Sequence, residues 1–144
     1  MKTIYYYYVR HGETVFNLEN RMQGITDSPL TCKGIEQIAQ TTEALRNEFF
    51  NSAYTSPLPR TIQTAEIILE PHHMHAKIFE PLREFSYGSW DGHIKNESDP
   101  EYQYRFSNDL LMIWVVKTQQ WSDNVFKMLF VSYMDLVTIK IEFF

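Results

Sequence analysis

The sequence predicts an α/β fold, a three-layer sandwich in which helices cover both faces of a mostly parallel sheet. One observation is the β-branched and aromatic run from Thr3 to Val9, which contains no Pro or Gly and is typical of a buried strand. A second is the helical spacing of apolar residues from about Ile35 to Phe49. A third is the order of the predicted elements, in which strands and helices alternate along most of the chain.

The elements follow one another in a regular order. Thr31 would cap the first helix if that helix began a turn before Ile35. The next predicted elements are a strand at Ser52–Thr55, a turn at Ser56–Arg60, a helix at Thr61–Leu69 stopped by Pro71, and a strand at Lys77–Phe79. After them come a loop over Pro81–His93, a helix at Asp109–Gln120 and a strand at Val125–Val131. The segment Ile139–Phe144 alternates like a strand or forms an exposed apolar tail.

Composition narrows the class of protein. A chain of 144 residues with 44% hydrophobic residues can bury one core, so a single domain over residues 1–144 is expected. The net charge of −5 and the lack of a basic stripe argue against a nucleic-acid partner, although local arginines could still bind an anion. A single cysteine, Cys32, fits a reducing cytoplasm. We find no signal peptide and no apolar run of the roughly 20 residues that cross a bilayer, so we expect a cytoplasmic protein without membrane contact.

The first strand ends in the triplet Arg10-His11-Gly12, at the end of the strand where open α/β sheets bind ligands. A neutral histidine can attack phosphorus through one ring nitrogen if a hydrogen bond holds the other. An adjacent arginine matches phosphate oxygens, and a glycine lets the backbone approach closely. A solvated His and Arg at a strand end explain the triplet equally well.

Further motifs follow at set distances and decide between these interpretations. They are Asn17, Arg21, Gln23 and Gly24; Asp27-Ser28-Pro29-Leu30-Thr31 with Lys33-Gly34; Tyr54 to Thr61 with Gln63-Thr64-Ala65; and Leu82-Arg83-Glu84 with Tyr87-Gly88, Trp90 and Gly92. With them the sequence resembles the histidine phosphatase superfamily, the phosphoglycerate mutase-like proteins, from about Ile4 to Gly92. Several separated motifs in the right order make the resemblance specific.

The resemblance implies a role for each matching residue. His11 corresponds to the histidine that becomes transiently phosphorylated, Arg10 and Arg60 to phosphate ligands, and Glu84 to the proton donor for the leaving group. The remaining substrate-binding residues that we expect are Gly12, Asn17, Arg21, Gln23, Gly24 and Tyr133. These roles need no metal or other cofactor. Arg60 would also open a helix whose N-terminus attracts anions.

Other interpretations of the same residues stay open. Arg60 could be a surface helix arginine and Glu84 a solvated loop carboxylate, while Arg21 could line the pocket or form a surface ion pair. The histidines at 72, 73 and 75 suggest a metal site, but a solvated loop is the favoured interpretation because further ligands and a fixed geometry would be needed. Cys32 has no histidine near it in the sequence, and we regard it as incidental.

The C-terminal part departs from the family pattern. The family has a second histidine in a Val-Ser-His-Gly element, and here Tyr133 stands where that histidine is expected. In the predicted sheet Tyr5–Val9 lies beside Met128–Val131, so that His11 and Tyr133 would face one pocket. The segment between residues 94 and 124 is shorter than the family's usual insertion, and the chain ends at Phe144. A degenerated, frameshifted or truncated family member would explain these departures, and the sheet would then lack an edge element or a partner chain, as in a homodimer, would cover it.

The expected activity is hydrolysis of a phosphomonoester through a phosphohistidine on His11, with a small phosphorylated metabolite as substrate. The stretch from Glu84 to Gly92 looks more like the phosphatase branch than the mutase branch. The alternative is a phosphate-binding module that turns over poorly, which Tyr133 favours because tyrosine is a neutral and longer donor than histidine.

Overall fold

The computed structural model describes residues 2–96, 98–100, 102, 125–132 and 137–143. Within these residues the strands are β1 (Lys2–Arg10), β2 (Ser52–Thr55), β3 (Lys77–Ile78), β4 (Val125–Ser132) and β5 (Val137–Phe143). They form one sheet in the order β3-β2-β4-β1-β5. The pairings are parallel except that β5 runs antiparallel to β1. The predicted α/β class with a mostly parallel sheet is therefore confirmed.

The described helices are α1 (Val15–Leu18), α2 (Cys32–Leu45) and α3 (Pro59–Leu69), with 3₁₀ turns at Glu70–His72, Glu80–Leu82 and Gly88–Trp90. Helix α2 begins directly after Thr31, which caps it, and so starts earlier than Ile35 and ends before Phe49. Helix α3 begins two residues before the predicted Thr61, because a proline at the first helical position suits the fixed backbone angle of that residue. The predicted helix at residues 109–120 lies outside the described residues.

The strands agree with the sequence prediction to within a residue or two at most ends. Strand β1 lies beside β4 in parallel register, with Tyr6 opposite Met128 and Val9 opposite Val131, as predicted. The alternating segment near the C-terminus is the strand β5, which occupies the sheet edge next to β1. Of the two alternatives for this segment, a strand or an exposed apolar tail, the structure therefore shows the strand.

The core lies between the sheet and the helices α2 and α3. Its buried residues are Val9, Ile38, Leu45, Phe50, Ala53, Ala65, Ile68 and Leu69. Ile68 and Leu69 are both 0% exposed, and burying one such side chain contributes about 1.5–3 kcal/mol. Tyr7 packs edge-on against Phe50 with ring centroids 5.4 Å apart. The buried cluster includes Val9 near the C-terminal end of β1 and three residues of α3, and predicted site residues lie on or next to both elements.

Two glycines allow the loop after β1 to cross the start of α2. A Cβ atom built on Gly12 would overlap the carbonyl oxygen of Gly34, and one built on Gly34 would overlap the carbonyl oxygen of Glu13. Backbone meets backbone here, so a side chain at either position would force the two segments apart. The loop that carries His11 therefore lies directly on the N-terminus of α2.

Replacing Thr31 with alanine is expected to lower the free energy of unfolding by about 1–2 kcal/mol, in the upper part of the range for lost helix caps. The Thr31 hydroxyl oxygen accepts a 3.0 Å hydrogen bond from the Gly34 amide, and the hydroxyl also donates to the Glu13 carboxylate at 2.9 Å. Urea denaturation measures the change. Thr41→Ala is the control, since its hydroxyl binds only a carbonyl of the same helix, and it should change stability by less than about 0.5 kcal/mol. Equal effects of the two substitutions would contradict the capping role.

Candidate active site

His11 lies directly after β1 and is only 5% exposed. Its Nδ1 atom is 2.7 Å from the carbonyl oxygen of Gly12, which can only accept, so Nδ1 carries the proton. The Nε2 atom is buried and has no hydrogen-bond partner among the described residues. Burial, helped by the charges of Arg60 and Arg10, lowers the pKa of His11 to about 4, although the bond to Gly12 raises it. At neutral pH the ring is therefore neutral, and its Nε2 is not bound by any residue that the structure describes.

Arg60 lies in the first turn of α3 and is 2% exposed, so it is not a surface arginine. Its Nη1 donates to the carbonyl oxygen of Thr26 at 2.9 Å, and its Nη2 donates to that of Gly24 at 2.8 Å. Nε is buried without a partner among the described residues. A guanidinium has five N–H groups, and these two bonds leave three of them for another ligand. The backbone thus holds Arg60 as a fixed, buried positive charge.

Glu84 lies in the segment between the 3₁₀ turns Glu80–Leu82 and Gly88–Trp90 and is half-buried. Its Oε1 accepts a 3.2 Å hydrogen bond from the Phe85 amide, and its Oε2 is buried without a partner in the described part of the chain. Burial raises the pKa of Glu84 above its usual range, although the Phe85 amide and the charges of Arg60 and Arg10 lower it. A protonated Glu84 would have an O–H group that is free to donate.

The four residues with predicted chemical roles share one electrostatic environment. The charges of Arg10 and Arg60 act on the pKa of both His11 and Glu84. Arg10 ends β1 next to His11 in the chain, whereas Arg60 and Glu84 come from elements about 50 and 70 residues later. The fold therefore gathers a neutral imidazole, two guanidinium groups and a carboxyl group whose pKa burial raises.

A cleft of about 350 Å³ opens beside His11 and is lined by Arg10, His11, Glu13, Asn17 and Gln37. The Asn17 side-chain oxygen accepts from the Thr14 amide at 3.1 Å, so its amide group can donate to a ligand. Gln37 and Glu13 were absent from the sequence-predicted site. Helical spacing could have indicated Gln37, because it lies one turn after Gly34 on the helix face that meets the loop carrying His11. The Gln37 side-chain oxygen accepts from the Glu13 amide at 3.0 Å.

The loop from Arg21 to Gly24 contributes a buried side chain, that of Gln23, and a backbone carbonyl, that of Gly24, to the candidate site. Gln23 is 7% exposed, and its side-chain oxygen is buried without a partner among the described residues. Gly24 has a φ of +51°, a backbone conformation that side chains disfavour, and its carbonyl oxygen binds Arg60. Arg21 donates to the Glu19 carboxylate at 2.6 Å and to the Gly92 carbonyl at 2.9 Å. Arg21 thus forms the surface ion pair that the sequence had left as one alternative.

The remaining positions considered from the sequence are Tyr133 and the histidines at 72, 73 and 75. Tyr133, at the place of the second family histidine, lies outside the described residues. His72 packs against Phe50 with ring centroids 5.1 Å apart, and His73 and His75 are exposed. In the described residues, three or more metal-ligating side chains do not come together anywhere. Helices long and apolar enough to span a membrane are likewise missing from the described part of the chain.

The pKa of His11 predicts a loss of stability in acid. The unfolded chain binds a proton near pH 6.5 and the folded chain only near pH 4, so stability is full above pH 6.5 and falls as the pH drops towards 4. The loss attributable to His11 is at most about 3–4 kcal/mol. Urea denaturation of the wild type and of His11→Asn across this pH range measures the contribution of His11 as the difference between the two stability curves. The raised pKa of Glu84 has an effect of opposite sign, but that effect is present in both proteins and cancels in the difference. Parallel stability curves for the two proteins would contradict this assignment.

Comparison with known sequences supports one family. The family model of the histidine phosphatase superfamily (branch 1) matches residues 6–120, beyond the last motif near residue 92. "Uncharacterized phosphatase PhoE" of Bacillus subtilis is 38% identical over 94 residues, which are 65% of this chain and 49% of that protein. "Probable phosphoglycerate mutase GpmB" of Klebsiella pneumoniae is 43% identical over 100 residues, which are 69% of this chain and 46% of that protein. The chain thus spans about half the length of these curated relatives.

Solved structures give the same result. YhfR of Bacillus stearothermophilus superposes with a TM-score of 0.73 at 27% identity, covering 90% of this chain and 73% of that one. Phosphoserine phosphatase of Entamoeba histolytica, in complex with 3-phosphoglyceric acid, gives a TM-score of 0.62 at 32% identity, covering 76% of this chain and 54% of that one. Since the family model covers most of the chain and the fold agrees, this protein belongs to the histidine phosphatase superfamily.

Proposed function

We propose that this chain hydrolyses small phosphomonoesters through a phosphohistidine formed on His11. The observation that carries the proposal is the state of the His11 ring: Nδ1 is held by the Gly12 carbonyl, and the buried Nε2 has no partner in the described part of the chain. A neutral imidazole fixed in one tautomer is the form of histidine that attacks phosphorus. The neighbouring charges of Arg10 and Arg60 suit the phosphate oxygens of such a substrate.

In the first step, Nε2 of His11 attacks phosphorus and forms an N–P bond while the bond to the ester oxygen breaks. The leaving oxygen takes its proton from Glu84, which the raised pKa of that carboxyl group favours. Arg10 and Arg60 balance the charge on the equatorial oxygens, and the backbone bonds of Arg60 fix its position before the reaction begins.

In the second step, the Glu84 carboxylate removes a proton from a water molecule that attacks phosphorus. The N–P bond breaks, inorganic phosphate leaves, and neutral His11 and protonated Glu84 are restored. Hydrolysis is favoured over mutase chemistry by the sequence of the segment from Glu84 to Gly92. We infer that the amide group of Asn17, the backbone at Gly12 and Gly24, and Gln23 border the bound phosphoester.

The alternative is a module that binds phosphate without turnover, and one observation favours it. Arg10 pairs with Ser132 at the end of β4, and Tyr133 is the next residue in the sequence. Tyrosine cannot supply the positive charge of a second histidine. Losing one preorganised donor costs about 2.7–4 kcal/mol of transition-state stabilisation, so turnover could fall to a low level while phosphate still binds.

Trapping the phosphoenzyme separates the two functions. The full chain is mixed with a radiolabelled phosphomonoester and denatured in alkali, which preserves phosphohistidine, and parallel samples are treated with acid, which hydrolyses it. We expect an alkali-stable, acid-labile label together with release of inorganic phosphate. Binding of inorganic phosphate with neither label nor turnover of p-nitrophenyl phosphate at any pH would overturn the proposal in favour of the binding module.

A further inference from the structure

The carboxylate of Asp91 closes the segment that follows Glu84 into a compact loop. Its Oδ1 accepts a hydrogen bond from the Tyr87 amide at 3.0 Å, and its Oδ2 accepts one from the Ser86 hydroxyl at 2.8 Å. The Ser86 oxygen in turn accepts from the Gly88 amide at 3.0 Å. Both carboxylate oxygens of Asp91 are therefore used within the loop that carries Glu84.

The same carboxylate lies against the loop that holds Arg60. A Cβ atom on Gly24 would overlap Oδ1 of Asp91 and would lie 2.7 Å from its Cγ. The carbonyl oxygen of Gly24 accepts from Nη2 of Arg60 at 2.8 Å. Two backbone hydrogen bonds join the same two segments, from Gly92 to the Met22 carbonyl at 2.7 Å and from the Met22 amide to the carbonyl of residue 93 at 2.9 Å.

The charge of Asp91 also reaches both functional groups. It raises the pKa of Glu84, where the main cause is burial and where Arg60 and Arg10 act in the opposite direction. It also raises the pKa of Arg60, together with Asp27 and Glu84, against the lowering effect of burial. In the described residues these are the charged groups that act on Glu84.

We propose that Asp91 is a positioning residue that locks the Glu84 loop onto the Gly24 loop, so that the proton donor and the Arg60 phosphate clamp keep one fixed arrangement. The inference rests on the proposed role of Glu84 as proton donor. Asp91 acts through Glu84 and Gly24 and does not itself react with the substrate.

Two substitutions separate the charge of Asp91 from its contacts. Asp91→Asn keeps an acceptor for the Tyr87 amide and can donate to the Ser86 oxygen, but it removes the negative charge. Asp91→Ala removes the charge and both bonds. Proton donation matters most for a poor leaving group, so Asp91→Ala should reduce kcat for an alkyl phosphate by a larger factor than for p-nitrophenyl phosphate. Equal factors for the two substrates would overturn the positioning role.

The pKa of Glu84 can be followed without turnover. Carbon NMR titrates the Glu84 carboxyl group in the full chain, with the resonance assigned by its loss in Glu84→Gln. We expect Asp91→Asn to shift the titration of Glu84 to lower pH while the unfolding temperature stays the same. Asp99→Asn is the matched control, because the charge of Asp99 is not among those acting on Glu84, and it should leave the titration unchanged. An unshifted titration in Asp91→Asn and Asp91→Ala would overturn the proposal even if the phosphoenzyme is trapped.

A double-mutant cycle tests the contact between the two loops. Gly24→Ala should lower the unfolding midpoint in the wild type, where the new methyl group meets the Asp91 carboxylate. The loss should be smaller in the Asp91→Ala background, since the backbone strain of Gly24 is common to both and cancels. Equal shifts in the two backgrounds would contradict the contact on which the inference depends.

Discussion

Replacing His11 with alanine is expected to reduce kcat for p-nitrophenyl phosphate by on the order of 10³-fold or more, and to abolish the acid-labile phosphoenzyme. The physical reason is that the neutral ring of His11 lies within the influence of the Arg10 and Arg60 charges, and no hydrogen bond from the described residues competes for its Nε2. Steady-state hydrolysis and phosphoenzyme trapping measure the two effects.

A control for this variant is His75→Ala, which removes an exposed histidine from the loop before β3 and should leave both measurements unchanged. Inorganic phosphate should still bind to His11→Ala, because the arginines remain. Thermal unfolding checks that the variant is folded, since a cooperative transition separates lost chemistry from lost structure. Undiminished turnover in folded His11→Ala would show that another group is the nucleophile.

Replacing Arg60 with alanine is expected to affect stability and activity together. The carbonyl oxygens of Thr26 and Gly24 lose their donors, and a buried acceptor without a partner costs about 1–3 kcal/mol. We therefore expect the free energy of unfolding to fall by about 2–4 kcal/mol. Loss of the fixed positive charge should also reduce kcat by about 10²–10³-fold, the usual effect of removing one preorganised donor.

Arg83→Ala provides the matched control for Arg60→Ala. Arg83 is exposed and pairs with Glu80 at 3.0 Å, and such surface pairs contribute about 0–1 kcal/mol. Arg60→Lys is informative as well, since it keeps a charge but cannot form the two parallel bonds of a guanidinium. Affinity for inorganic phosphate, measured by calorimetry, should fall in both Arg60 variants. Unchanged affinity in both would show that Arg60 serves only to hold the loop.

Local patterns were sufficient to predict most of the fold. The strand before Arg10 and the strand Ser52–Thr55 follow from β-branched and aromatic runs, and the start of α2 follows from the capping threonine. The edge strand β5 was left open because alternation describes an exposed tail as well as a strand, and only pairing with β1 distinguishes the two. A short segment of sequence does not show which distant strand it pairs with.

In the candidate site, too, local patterns predicted some features and long-range contacts determined the others. The Arg10-His11-Gly12 triplet and the resemblance to the family pointed to His11, Arg60 and Glu84. They did not predict the tautomer of the imidazole or the backbone carbonyls that hold the guanidinium. Gln37 and Asp91 were missed because each acts through contacts with a segment far away in the chain. Packing of one loop on another creates these contacts, so they appear only once the fold is known.

The strand order has a consequence for how the protein is made. Both hydrogen-bonded neighbours of β1 come from residues 125–143, namely β4 and β5. During synthesis, the strand that leads to His11 is made more than a hundred residues before β4 and β5, so both of its edges lack these partners until those residues follow. Unpaired strand edges favour association with other chains, so the segment that leads to His11 needs protection until the two later strands have been made.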